Sequence, residues 1–214
     1  MKTTHISSAI AYSDPQRLEK IKISFLFSAV LLISSFLGMI VANYISADLY
    51  ANSVFRISNH FETAFLRCSD LLGYIKIIAL SSLSDIIAFF VIFTVSFSIL
   101  NYVITDVVLF YCGVKFGISA AFLVGFSRLQ NSPYRLGGIR LSLFVLTELI
   151  LLVLILCYSC YAATASLRFK QTASSGRPNI KTGDLILFSV KTVACVGAVI
   201  ILNALYCFSL YILK

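Results

Sequence analysis

From residue 23 to residue 46 the chain runs for 24 residues without a charged side chain. A helix rises about 1.5 Å per residue, so about 20 apolar residues cross the ~30 Å hydrocarbon core of a bilayer. Further long apolar runs occupy residues 86–104, 106–126, 139–167 and 184–213. A transmembrane barrel requires segments of about ten residues that alternate apolar and polar, and these runs do not alternate. Composition agrees: 59% of the residues are apolar, only 12% are charged, and the mean hydropathy is +0.95. A water-soluble globule needs about 25% charged residues, and disorder needs low hydrophobicity with high charge. The expected fold is therefore all-α, a polytopic helical membrane protein with about five transmembrane helices.

The stretches between the runs complete the plan. Residues 1–22 are polar and end in Arg17, Lys20 and Lys22, a basic flank that predicts a cytoplasmic amino terminus. The run that follows is longer than the core of a signal peptide and lacks a small-residue cleavage site, so it reads as a retained first helix. Residues 47–85 mix Asp48, Arg56, His60, Glu62, Arg67, Asp70, Lys76 and Asp85 with Leu49, Phe55, Phe61, Phe65 and Leu72 near helical spacing. That pattern predicts an amphipathic helical segment on the outer membrane surface. Residues 127–138 form an outer loop, and residues 168–183 a basic cytoplasmic loop. With five spans the carboxyl terminus lies outside, and the basic residues outside the spans divide eight inside to seven outside. There is no Trp, so Tyr44, Tyr102, Tyr158, Tyr161 and Tyr211 are expected to serve the interfaces.

The net charge of +8 comes from basic residues at the ends of apolar runs, where they set orientation and meet anionic lipid head groups. No basic stretch is interleaved with aromatics on a polar background, so nucleic acid is not an expected partner; the lipid bilayer is. Five of the six cysteines fall in apolar segments, which speaks against a disulfide framework, and Cys157 with Cys160 form a CxxC that reads as helix packing. His5 and His60 lie in polar segments without a nucleophile or ligand beside them. The reading is non-enzymatic, with no cofactor and no metal.

Two features stand out within the spans. Gly113, Gly117, Ala121 and Gly125 recur every four residues, and Ser34, Gly38 and Ala42 do the same in the first run. Residues four apart share a helix face, and small residues let two backbones approach closely in lipid, so these are expected packing or partner faces, with a substrate groove lined by the same glycines as the alternative. The second feature is charge inside the spans. Lys115 and Glu148 should come to similar depth on antiparallel helices and pair, because a lone charge at the bilayer centre costs about 2.5–3.5 kcal/mol. Asp106 and Lys191 are expected to make a second pair nearer the cytoplasmic side. Either structural ion pairs or a relay for protons or ions fits this pattern.

The run Phe110-Tyr111-Cys112-Gly113-Val114-Lys115-Phe116-Gly117-Ile118-Ser119-Ala120-Ala121-Phe122-Leu123-Val124 resembles the Gly-rich third helix of the stage II sporulation protein M family. Asp48-Leu49-Tyr50 resembles the start of that family's outer segment, and Tyr161-Ala162-Ala163-Thr164-Ala165-Ser166-Leu167-Arg168 resembles the close of its fourth helix. The chain departs from the family at Leu146-Thr147-Glu148, where a proline-containing entry is usual, and at Lys115 within the glycine stripe. The resemblance implies a scaffold of the mother-cell septal membrane that gathers bitopic cell-wall hydrolases during endospore engulfment. The competing expectation is a membrane transport component, a permease subunit or small carrier, that uses Lys115 and Glu148.

Overall fold

The computed structural model describes residues 15–44, 71–129, 138–174 and 182–212. Five helices make up these residues: α1 (Pro15–Tyr44), α2 (Leu71–Val95), α3 (Asn101–Leu129), α4 (Gly138–Ser174) and α5 (Thr182–Ile212). The fold is all-α and membrane-like. Four helices contain stretches long and apolar enough to cross a bilayer: Leu18–Ala42, Asn101–Ala121, Ser142–Leu167 and Gly183–Ser209. In α2 the apolar stretch is shorter, Ser82–Val95. Residues 47–70 of the expected outer segment, Asp48-Leu49-Tyr50 among them, lie outside the described residues, as does most of the loop expected at 127–138.

Two boundaries differ from the expected ones. Residues 71–85, read as part of the outer segment, are the first half of α2. The turn after α2 falls at residues 96–100 rather than near residue 105, and α3 begins at Asn101. Serines account for the shift. The Ser96 and Ser98 amides still donate back to the carbonyls of Ile92 (3.1 Å) and Val95 (2.8 Å), closing the end of α2. The Ser98 hydroxyl then accepts the Leu100 amide at 3.2 Å, a local bond that offers the backbone an alternative to helix. At the head of α1, Pro15 occupies the first helical position, where its missing N–H costs nothing.

Helix direction follows from the contacts. Gly113 of α3 lies against Leu31 and Ser34 of α1, and Gly117 lies against Ser35 and Gly38, so α1 and α3 run parallel. On α4, Tyr158 meets Thr192 while Phe144 meets Tyr206, so α4 and α5 are antiparallel. Phe93 and Phe97 near the end of α2 reach Phe188 near the start of α5, which makes that pair antiparallel too. Asp85 of α2 meets Lys115 of α3 across the turn at residues 96–100, so α2 and α3 are antiparallel as well; thus α1, α3 and α5 point one way, and α2 and α4 the other.

Polar side chains survive inside by bonding their own backbone. Ser34 and Ser35 donate to Leu31 O, Ser82 to Ile78 O, Ser96 to Ile92 O and Ser119 to Lys115 O, each within 3.0 Å. Such back-bonding satisfies a hydroxyl that lipid cannot. The enclosed core includes Phe27, Phe89, Ile92, Leu109, Ile155, Tyr158, Phe188 and Val199. Phe188 is its aromatic hub, with ring centroids of Phe93, Phe97, Tyr158, Tyr161 and Phe169 between 5.1 and 6.3 Å away. Large apolar side chains such as Phe25, Leu32, Phe36, Val107, Ile186 and Val193 cover the outside, as expected of a surface meant for lipid.

Candidate functional site

The two small-residue stripes pack against each other. A β-carbon placed on Gly113 would overlap the Ser34 hydroxyl, and one on Gly117 would overlap the Ser35 carbonyl oxygen. A β-carbon on Gly38 would overlap Val114 O and stand 3.1 Å from Gly117 Cα. Ser34, Gly38, Gly113 and Gly117 are all buried, while Ala42 and Ala121, one turn further, are half-buried. The described part of this face is therefore the α1–α3 seam and is filled from within the chain. Gly125 continues α3, and its surroundings lie outside the described residues.

Lys115 sits two residues from Gly113, about 200° round the helix at 100° per residue, and so faces away from the seam. On that other side its Nζ lies 3.1 Å from Glu148 Oε1 of α4 and 3.4 Å from Asp85 Oδ1 of α2. The side chains of Asp85 and Glu148 are only 10% and 13% exposed, whereas Lys115 is 32% exposed. Three helices thus each contribute one charge to a single cluster. The expected Lys115–Glu148 pair is present, and Asp85, which falls in the expected surface segment 47–85, joins it. The signal was present: Asp85 stands directly before Ile86-Ile87 and lies inside an apolar stretch.

Two acids against one base leave a formal charge of −1 when all three are ionised. A carboxylate is an acceptor only, and among the described residues the cluster's donors are those of the Lys115 ammonium. The hydroxyls one turn away, Ser82 on α2 and Ser119 on α3, already donate to backbone carbonyls. Cys112, also buried, stands one turn before Lys115.

Asp106 and Lys191 are not brought together. They stand on α3 and α5, which are not close neighbours in the bundle. The Lys191 ammonium instead lies 4.0 Å from the centroid of the Tyr161 ring, a cation–π contact between α5 and α4. Asp106 Oδ1 is buried without a hydrogen-bond partner, as is Asn101 Nδ2. Matching depth is not enough for a pair when the helices are not neighbours.

Tyr158, expected at an interface, is buried, and its hydroxyl lies 2.7 Å from Thr192 Oγ1. Cys157 is exposed and Cys160 half-buried, both as free thiols. Among the described residues no group of three His, Cys, Asp or Glu side chains gathers closely enough to hold a metal ion.

No protein-family model, curated protein or solved structure matches the chain.

Proposed function

We propose that the chain is a non-enzymatic membrane platform, crossing a bacterial cell membrane five times and holding other membrane proteins in place. The resemblance to the stage II sporulation protein M family supplies the partners, bitopic peptidoglycan-degrading proteins, and the place, the mother-cell septal membrane during endospore engulfment. The observation that supports a platform is the α1–α3 seam. A carrier that alternates access rocks one group of helices against another. Here α1 and α3 touch backbone to backbone at Gly38, Gly113 and Gly117, and the Lys115 cluster ties α3 to α2 and α4. Both favour a fixed body. Since the described part of the small-residue face is filled by the chain itself, partner contacts fall to the lipid-facing sides and to the sequence between α1 and α2.

Mild-detergent purification of the tagged chain from sporulating cells tests this reading. Peptidoglycan hydrolases should co-purify with it. Recovery with an ATPase subunit in their place would overturn the platform.

A transport component is the second reading, favoured by one observation: two enclosed carboxylates share one ammonium, an unequal grouping that a purely structural ion pair does not need. Purified protein in proteoliposomes should then move an ion or small solute, and the platform reading expects it not to.

A further inference from the structure

The Asp85–Lys115–Glu148 cluster has one charge too many for its surroundings. Asp85 on α2 and Glu148 on α4 both reach the Lys115 ammonium, at 3.4 and 3.1 Å, and both are enclosed. Among the described residues, the other groups around them do not balance the second acid. On α3, Cys112 is neutral as a thiol, and Ser119 spends its proton on the Lys115 carbonyl. On α2, Ser82 spends its proton on Ile78. From α1, the nearest face of α3 is the glycine seam, which lies on the opposite side from Lys115. The described charges of α5, Asp184 and Lys191, stand at its other end, and Lys191 is engaged with Tyr161.

We infer that Asp85, Lys115 and Glu148 form a one-proton site inside the bundle, in which one of the two carboxyls binds a proton from water. The bound proton turns a carboxylate into a carboxylic acid, brings the cluster to neutrality and adds an O–H donor where only acceptors stood. The other carboxylate remains paired with Lys115. A monovalent metal cation would balance the charge equally well, but it would have to sit beside an ammonium that already occupies the space between the two acids, with the neighbouring hydroxyl protons committed elsewhere. A proton needs no such room.

The site goes beyond the platform reading and is compatible with it: a platform keeps the proton as part of a neutral core, whereas a carrier moves it. Proton flux in proteoliposomes separates those two cases without bearing on whether the site exists. Infrared spectroscopy of the protein in lipid nanodiscs tests the site itself. At neutral pH the wild type should show a carboxylic-acid C=O band that shifts in D2O. Asp85→Asn and Glu148→Gln each leave one acid facing one base, so each should abolish the band, and Asp106→Asn should retain it. Absence of the band in the wild type would overturn the proposal, as would its persistence in both Asp85→Asn and Glu148→Gln. Loss of the wild-type band on adding sodium at constant pH would overturn it in favour of a cation site. Where either cluster variant does not fold, the band of Asp106→Asn with and without sodium still decides, because that variant lacks the other buried carboxyl without a partner.

Discussion

Gly117 of α3 meets Ser35 of α1 backbone to backbone: a β-carbon on the glycine would overlap the serine's carbonyl oxygen. Lipid tails are as apolar as leucine, so burial alone does not drive helices together in a bilayer. Close backbone contact does, through dispersion and weak polar attraction that a larger side chain would prevent. The α1–α3 seam is thus the part of the bundle whose stability depends most directly on residue size.

Gly117→Leu should separate α1 from α3. Overpacking a well-filled site costs about 1–3 kcal/mol, and the upper end is expected here because the obstructing atoms are backbone. Gly117→Ala should show a smaller loss in the same direction. Gly197 of α5, where a β-carbon would meet nothing within 4 Å, is the control, and Gly197→Ala should be silent. Thermal unfolding in detergent measures all three; equal midpoints for Gly117→Leu and Gly197→Ala would refute the seam.

The charge cluster predicts an order among its variants. Lys115→Met removes the base and leaves two enclosed acids, and breaking a buried ion pair typically costs about 3–5 kcal/mol. Glu148→Gln should cost less, because Asp85 remains with Lys115. Replacing Lys115 and Glu148 together with apolar residues should fail to restore stability, since Asp85 would be stranded. Only the triple replacement that adds Asp85→Leu should recover most of it. Full recovery in the double variant would show that Asp85 is not a working member.

Part of this cluster was legible in the sequence and part was not. Lys115 stands 11 residues from the end of the run 106–126 and Glu148 nine from the start of the run 139–167, so on antiparallel helices counting from the span ends brings them to similar depth. Asp85 was hidden by Lys76 and Asp70, whose charges made residues 47–85 read as one surface segment, when α2 in fact begins at Leu71. The small-residue stripes were legible one by one. That they fill each other was not, because spacing reports a face but not what covers it. The same limit produced the expected Asp106–Lys191 pair. Phe188 carries no signal at all in the sequence, being one phenylalanine among 18; its position as hub comes from the crossing of α2, α4 and α5.

Asp106 and Lys191 should behave as independent sites. A double-mutant cycle with Asp106→Asn and Lys191→Leu should be additive to within about 0.3–0.5 kcal/mol. A larger coupling would mean that the two charges meet after all. The cycle of Lys191→Leu with Tyr161→Leu should instead show coupling, since that ammonium stands over that ring.

Phe188 is fully buried among aromatic rings from α2, α4 and α5. Phe188→Ala should cost about 3–5 kcal/mol, the usual range for a large core aromatic, and near-ultraviolet circular dichroism should report loosened aromatic packing. Tyr158→Phe keeps the ring and loses only the hydroxyl contact with Thr192, so about 0.5–1.5 kcal/mol is expected. Similar losses for the two would argue that the hydroxyl, rather than the ring cluster, ties α4 to α5.

The parallel run of α1 and α3 makes a prediction about topology. Two consecutive crossings in the same direction require the chain to return between them, and α2 is the described helix available for it. Its apolar stretch is short, but the whole helix is 25 residues, about 37 Å at 1.5 Å per residue, longer than the ~30 Å core. Asp85 can lie within that core because Lys115 meets it there. If α2 crosses, the turn at residues 96–100 shares a side with the amino terminus and with the loop after α4. Single cysteines in a background lacking the native six should then sort into two groups in intact cells. Those at Asn59 and Asn131 should react with a membrane-impermeant maleimide. Those at Ser98 and Ser174 should react only after the membrane is opened. Ser98 labelled together with Asn59 in intact cells would mean that α2 does not cross, and the five-span arrangement would fall.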